Sequence, residues 1–155
     1  MQVTRSRCYY PLMKKRSKNS ATDCPGRSTC PIANTLDLIG DKWTLLVVRD
    51  LLFLGKRLYG ELMQAPEGIP SNILADRLKR LEDAGLLEKS PYQQNPVRHE
   101  YRLAPRGADM FPILKEMIRW GNKHVQGTTV PPSGFFESFE KQTAAGRKRL
   151  RRKSD

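Results

Sequence analysis

The sequence predicts a mainly α-helical fold with a small two- or three-stranded antiparallel sheet. Three observations carry that expectation. Apolar residues recur at helical spacing through much of residues 30–125. After Gly85 the pattern shifts to partial alternation over two short segments. Gly and Pro stand where each pattern stops.

The elements follow in order. Cys30 begins the ordered part, and Pro31 suits the first position of a helix that runs through Ile32, Leu36 and Ile39 to Gly40. Asp41 is the expected N-cap of the next helix. In that helix Trp43, Leu46, Val47, Asp50 and Leu51 fall at i, i+3, i+4, i+7 and i+8, apolar except at Asp50. Gly55-Lys56-Arg57 breaks it, and Leu58 to Met63 makes a third, short helix. The breaker-rich stretch from Ala65 to Pro70 leads into a longer helix, IPSNILADRLKRLEDAGLL. Leu74, Leu78 and Leu81 form its apolar stripe; Asn72, Asp76, Lys79 and Asp83 fall opposite, with Arg80 beside them. Leu86 to Gln93 and Arg98 to Leu103 read as strands around the turn Gln94-Asn95-Pro96-Val97, with His99, Tyr101 and Leu103 on one face. Pro105 opens a last long helix that carries Phe111, Leu114, Ile118 and Trp120.

A short helix, a tight turn and a longer helix with a polar outer face make the order of a helix-turn-helix, and the two strands after it describe a wing. In such a unit the second helix enters the major groove of double-stranded DNA. Hydrophobic residues make up 38% and charged residues 28% of the 155, which suits a globular domain with polar extensions. The net charge of +12 points to a polyanionic partner. Its distribution is uneven. Residues 1–29 hold seven Lys/Arg and one acid; residues 126–155 hold seven and three; residues 30–125 hold fourteen and twelve. The chain therefore divides into a basic flexible arm (1–29), a DNA-binding and dimerisation domain (30–125), and a linker with a basic tail (126–155). Phe135, Phe136 and Phe139 are placed to dock on the body, and Arg147 to Lys153 form a run that attracts polyanions without sequence preference. Met13 offers an alternative start, which the mass of the native chain would test. No apolar run nears the length of a membrane span, and no apolar h-region follows the basic N-terminus, so a cytoplasmic location is expected. Three cysteines without a close pair argue against a disulfide framework, and the Cys and His spacing against a metal site. No cofactor is expected.

Candidate residues follow from this frame. In the recognition helix, Asn72 suits an adenine edge, Lys79 and Arg80 suit guanine or phosphate, and Ser71 suits a cap or a phosphate contact. Asp76 lies four residues before Arg80 and is placed to orient it; Arg77 flanks the apolar stripe and reads as a structural pair. In the wing, Gln94, Asn95 and Arg98 lie near the tip, with Arg98 suited to a minor groove and a solvated tip as the alternative. Phe111, Leu114, Ile118 and Trp120, widened by Met110, Ile113 and Met117, offer more apolar surface than one core stripe needs. They point to a second subunit, the alternative being packing on the domain itself. Trp43 and Trp120 read as core residues. Cys30 precedes Pro31 at a helix start, where the macrodipole favours a thiolate. It reads equally as a reactive sensor thiol or as an inert one, either buried or kept at a sensor position without sensing.

The stretches CPIANTLDLIGDKW, GIPSNILADRLKRLEDAGLL and YQQNPVRHEYRLAPRG, with Trp120 after them, resemble the HxlR-type winged helix-turn-helix regulators, relatives of the MarR group. The resemblance covers roughly residues 30–125. It implies a homodimeric bacterial transcription regulator that binds operator DNA, with dimer contacts from the N- and C-terminal helices. It further implies a thiol of the Cys-Pro pair that in several members senses oxidants or electrophiles. Two features depart from the pattern. Ala104 stands where family chains commonly carry Thr, forgoing a hydroxyl cap of about 1 kcal/mol. The basic C-terminal run is not shared. Two other classes compete: a thiol-dependent enzyme using Cys30, for which no local motif supplies a His base, and a winged-helix protein-interaction module.

Overall fold

The computed structural model describes residues 29–140. Eight elements follow in chain order: α1 (Pro31–Ile39), α2 (Lys42–Phe53), α3 (Tyr59–Met63), α4 (Ser71–Asp83), β1 (Leu87–Gln94), β2 (Val97–Leu103), α5 (Pro105–Ala108) and α6 (Phe111–His124). Residues 135–140 add a further helical segment. Residues 1–28 and 141–155, with Cys8, Cys24 and the run from Arg147 to Lys153, lie outside the described residues.

The helix boundaries follow local chemistry. Asp41 caps α2 as expected, its Oδ1 accepting from the backbone N–H groups of Trp43 and Thr44, each at 3.1 Å. Glu61 reaches back from α3, its Oε2 accepting from the N–H groups of Arg57 (2.7 Å) and Leu58 (2.8 Å). Gly85, at φ +65°, turns the chain out of α4 in the left-handed conformation that favours glycine. The core gathers Val47, Val48 and Leu51 of α2, Leu62 of α3, Leu74, Leu78 and Leu81 of α4, and Leu86, Leu87, Met110 and Leu114 beyond them. Burying each such side chain is worth about 1.5–3 kcal/mol, so the leucine stripe of α4 is the principal bond between that helix and the body.

Asp50 is the polar exception that the pattern of α2 shows, and the structure explains it. It is buried, yet both carboxylate oxygens are paired: Oδ1 accepts from Arg49 Nε at 2.8 Å and Oδ2 from Lys56 Nζ at 2.6 Å. The Gly55-Lys56-Arg57 break thus serves as more than a stop, because it returns Lys56 over the end of α2.

The sheet is two-stranded, β1 antiparallel to β2. A third strand is reduced to one bridge, Leu58 with Glu100, beside a hydrogen bond from Tyr101 N–H to Arg57 O at 2.8 Å. The hairpin is tighter than the sequence suggests: both strands extend into the expected turn, leaving Asn95 and Pro96 at the tip. The register shifts between Pro91 and Gln93. Pro91 has no N–H to give to the ladder, and a bulge is where a strand tolerates that loss.

The expected single last helix is two. α5 ends at Ala108 and α6 starts at Phe111. Pro112 explains the break, since in an unbroken helix its ring would meet the carbonyl of residue 108. Ala104 is the N-cap of α5 and makes no side-chain cap, with Pro105 at the first helical position. Gly107 then packs so closely on the chain that a Cβ there would lie 2.0 Å from the Leu86 carbonyl oxygen. After α6 the chain returns, and Phe135, Phe136 and Phe139 dock on Phe53 of α2 with ring centroids 5.5, 6.5 and 5.1 Å away. Lys115 of α6 pairs with Glu140 at the end of this segment.

Candidate nucleic-acid interface

The recognition helix turns its back to the core and its front to solvent. Leu74, Leu78 and Leu81 are buried, while Ser71, Asn72, Ala75, Asp76, Lys79 and Arg80 are exposed. The helix is held at three points besides that stripe. Tyr59 Oη donates to the Ser71 carbonyl at 2.8 Å, joining α3 to the first turn of α4. Arg77 Nε lies 3.0 Å from Asp41 Oδ1, joining the flank of α4 to the start of α2. Arg106 Nη1 donates to the Ala84 carbonyl at 3.0 Å, satisfying an orphan acceptor where α4 ends. The turn before α4 is tied as well, because the Arg49 guanidinium grips the Glu67 carboxylate with two hydrogen bonds. The Arg49 contact holds the Glu67 carboxyl below its ordinary value.

The predicted residues sort as follows. Asn72, Lys79 and Arg80 share the exposed front, and neither Lys79 nor Arg80 forms an ion pair among the described residues. Ser71 is exposed but is not a cap: Pro70 holds the N-cap position, and Ser71 is the first helical residue. Its role as a cap is therefore corrected, because the chain enters the helix one residue earlier than the Ser suggests. Asp76 is corrected too. It pairs with its neighbour Arg77, Oδ2 to Nη1 at 2.9 Å, rather than with Arg80. Arg77 thus lies between two carboxylates, Asp41 on the flank at 3.0 Å and Asp76 on the exposed side at 2.9 Å. Arg77 itself is a structural pair, as expected. Gln94, Asn95 and Arg98 are all exposed around the wing tip, and Gln93 Nε2 donates to the Asn95 carbonyl at 3.1 Å within it.

The apolar residues of α6 divide between two faces. Phe111 and Leu114 are buried in the protomer's own core, Phe111 against Phe53 at a centroid distance of 6.0 Å, and Ile118 is half-buried. Phe111 and Leu114 are thus corrected from subunit contacts to core residues. Trp120 is the reverse: expected in the core by one reading, it is 63% exposed. It lies with Pro112, Ile113, Glu116 and Met117 along an open apolar hollow of about 540 Å³. Ile113, Met117 and Trp120 recur at i, i+4 and i+7, so this second stripe was visible in the spacing; only burial separates it from the first. Ile32 and Leu36 of α1 are also exposed. Cys30 is exposed at the N-cap of α1, so the buried alternative does not hold within one chain. Among the described residues, no three His, Cys, Asp or Glu side chains cluster as metal ligands, and no helix is long and apolar enough to cross a membrane.

Three helices, a recognition helix with a solvent-facing polar front, and a β-hairpin wing define a winged helix-turn-helix protein. The chain belongs to the HxlR-like helix-turn-helix family, whose model matches residues 38–129. It is 38% identical over 101 residues to an uncharacterized HTH-type transcriptional regulator of Mycobacterium tuberculosis, covering 65% of this chain and 63% of that one. The matched region thus spans less than two thirds of the mycobacterial relative. Among solved structures it is similar to PA1607, a proposed transcription factor, with a TM-score of 0.61 at 35% identity over 68% of this chain and 75% of that one. It is also similar to the redox regulator HypR in its oxidized form, with a TM-score of 0.56 at 31% identity over 65% of this chain and 100% of that one.

Proposed function

We propose that this protein is a sequence-specific DNA-binding transcription regulator of the HxlR type that acts as a homodimer in the cytoplasm. The exposed front of α4 carries the reading: Asn72, Lys79 and Arg80 stand clear of a buried leucine back, at the end of a helix-turn-helix that would present them to a major groove. Asn72 would read an adenine edge, Lys79 and Arg80 a guanine or a phosphate, and Ser71 a phosphate. Gln94, Asn95 and Arg98 would lay the wing on the neighbouring backbone, Arg98 entering the minor groove. The exposed stripe of Ile113, Met117 and Trp120, with Ile32 and Leu36 of α1, supports a second copy as the cover of these faces. A two-fold dimer would bind an imperfect palindrome with half-sites about one helical turn apart, or a multiple of it.

Selecting bound sequences from random duplex DNA tests this reading. An enriched palindrome is the expected result; enrichment of nothing, or of a site filled by one protomer, would overturn it. Cys30, exposed at the start of α1, is the residue through which an oxidant or electrophile would act, and the likeness to a redox regulator supports that role. Repeating the selection after oxidant treatment, with alkylation rates of Cys30 set against Cys8 and Cys24, tests it; a Cys30 that reacts slowest removes the sensor role.

A further inference from the structure

The leucine stripe of α4 holds the helix firmly but not directionally, because apolar contact is non-directional and roughly proportional to area. A base-reading helix needs more than that, since a functional constellation works only when held within about 0.5 Å and 10–20° of its geometry. Tyr59 and Arg106 tie its two ends through backbone carbonyls, and one more directional contact lies on its flank. Arg77 stands there, its side chain only 16% exposed and its guanidinium rigid and planar. Its Nε is buried, 3.0 Å from Asp41 Oδ1, and makes no aligned hydrogen bond. The Asp41 charge is therefore what compensates it on that side, while Asp76 meets it on the exposed side at 2.9 Å.

Asp41 is itself fixed. Its Oδ1 accepts from Trp43 and Thr44 N–H, and its Oδ2 from the Thr44 hydroxyl. Before it, Gly40 closes α1 so tightly that a Cβ would fall 2.4 Å from the Leu36 carbonyl oxygen. Burial works against the Asp41 charge, but the Thr44 hydrogen bonds and Arg77 together hold the carboxyl below its ordinary value. A carboxylate anchored at the start of one helix thus grips the flank of the next but one.

We infer that Asp41 is a positioning residue for DNA reading: through Arg77 it sets the rotation of α4 on α2, and with it the reach of Asn72 and Arg80 toward base edges. The inference rests on the DNA-reading function proposed above.

The substitution Asp41→Asn separates this role from capping, because Asn caps a helix about as well as Asp but brings no charge to Arg77. The full-length chain would be measured on a duplex enriched by the unsubstituted protein and on a scrambled duplex of the same composition. Asp41→Asn is expected to lower the ratio of the two affinities about tenfold, the scale of one misplaced base contact. Affinity for the scrambled duplex should stay within about twofold, and the thermal midpoint within a few degrees. Arg77→Gln should give the same loss, and the double variant should be no worse than the worse single, as expected of residues acting as a unit.

An unchanged ratio in Asp41→Asn would overturn the inference. So would losses that multiply in the double variant, or equal losses on both duplexes with a lowered midpoint, which mark a merely structural role. Should Asp41→Asn fail to fold, Arg77→Gln decides: it removes the charge that Asp41 holds, and a ratio left intact would refute the positioning role. If the unsubstituted chain enriches no sequence, it is the DNA-reading function that falls, a result distinct from all of these.

Discussion

Helices α4 and α6 are nearly equal in length, thirteen and fourteen residues, and each buries a leucine-bearing stripe in the same core. They differ in what they leave outside. α4 presents Ser71, Asn72, Asp76, Lys79 and Arg80 to solvent; α6 presents Ile113, Met117 and Trp120. A polar front is stable in water and free to exchange that water for a phosphate or a base edge. An apolar front of that size is costly in water and gains by being covered. One fold thus leaves two chemically opposite faces outside, on helices that resemble each other from the inside.

Setting the inner face of α4 against the outer face of α6 tests the comparison most sharply. Leu78→Ala should cost about 2–5 kcal/mol, the range for a buried leucine, read from chemical denaturation. Met117→Ala should change the protomer's own stability by less than about 0.5 kcal/mol. If Met117→Ala costs as much in a monomeric sample, the outer face of α6 is core and the contrast fails. Asp50→Ala belongs on the same scale. It strands Arg49 and Lys56 beside a buried site and should cost about 3 kcal/mol, as removal of one partner from a buried ion pair does.

The outer faces should then separate by readout. Trp120→Glu is expected to raise the dissociation constant of the proposed dimer at least about tenfold by sedimentation, since it would bury a charge in the proposed apolar contact, while leaving the single chain folded. Asn72→Ala should leave the dimer intact and cost about 1–3 kcal/mol of discrimination between matched and mismatched duplexes. Equal loss on both duplexes would take Asn72 out of the base-reading set. Arg80→Ala, if its contact is to phosphate, should weaken all duplexes alike and lower the salt slope by about 1.

The smallest effect concerns the turn that delivers α4. Glu67 has its carboxyl held down by Arg49. A lowered folded value means that its stabilisation is complete above the ordinary carboxylate range and is lost as pH falls through the folded value. Glu67→Gln should therefore lower stability at neutral pH by the surface-pair range of about 0.2–1 kcal/mol and match the unsubstituted protein in acid. A difference that persists in acid would show that the charge is not what matters.

Much of the architecture was legible because it is written in short-range chemistry. Asp41 as a cap, Gly85 as a helix end, the leucine stripe of α4 and the pairing role of Arg77 all follow from spacing and residue type. The errors have a common cause. Ser71 resembles a cap, yet capping depends on which residue leaves the helical conformation, and that residue is Pro70. Helical spacing puts Asp76 beside Arg80, but its partner is Arg77, which also pairs with Asp41, a residue far away in the chain. The wing tip residues were found by their turn chemistry alone, and the missing third strand reduces to a bridge that no local pattern marks.

The sequence by itself determined the element order, the winged helix-turn-helix class and the polar front of α4, because periodicity, capping and breakers act within a few residues of one another. The break at Pro112 is local chemistry as well, yet the expectation of one continuous last helix passes over it. Only the tertiary structure decided which apolar stripe of α6 is core, because Phe111 and Ile113 are equally apolar and differ only in whether Phe53 and the returning phenylalanines lie against them. It alone decided the burial of Asp50, whose partners Arg49 and Lys56 are near it in the chain, and the Asp41–Arg77 pair, which forms only when α4 packs against the start of α2.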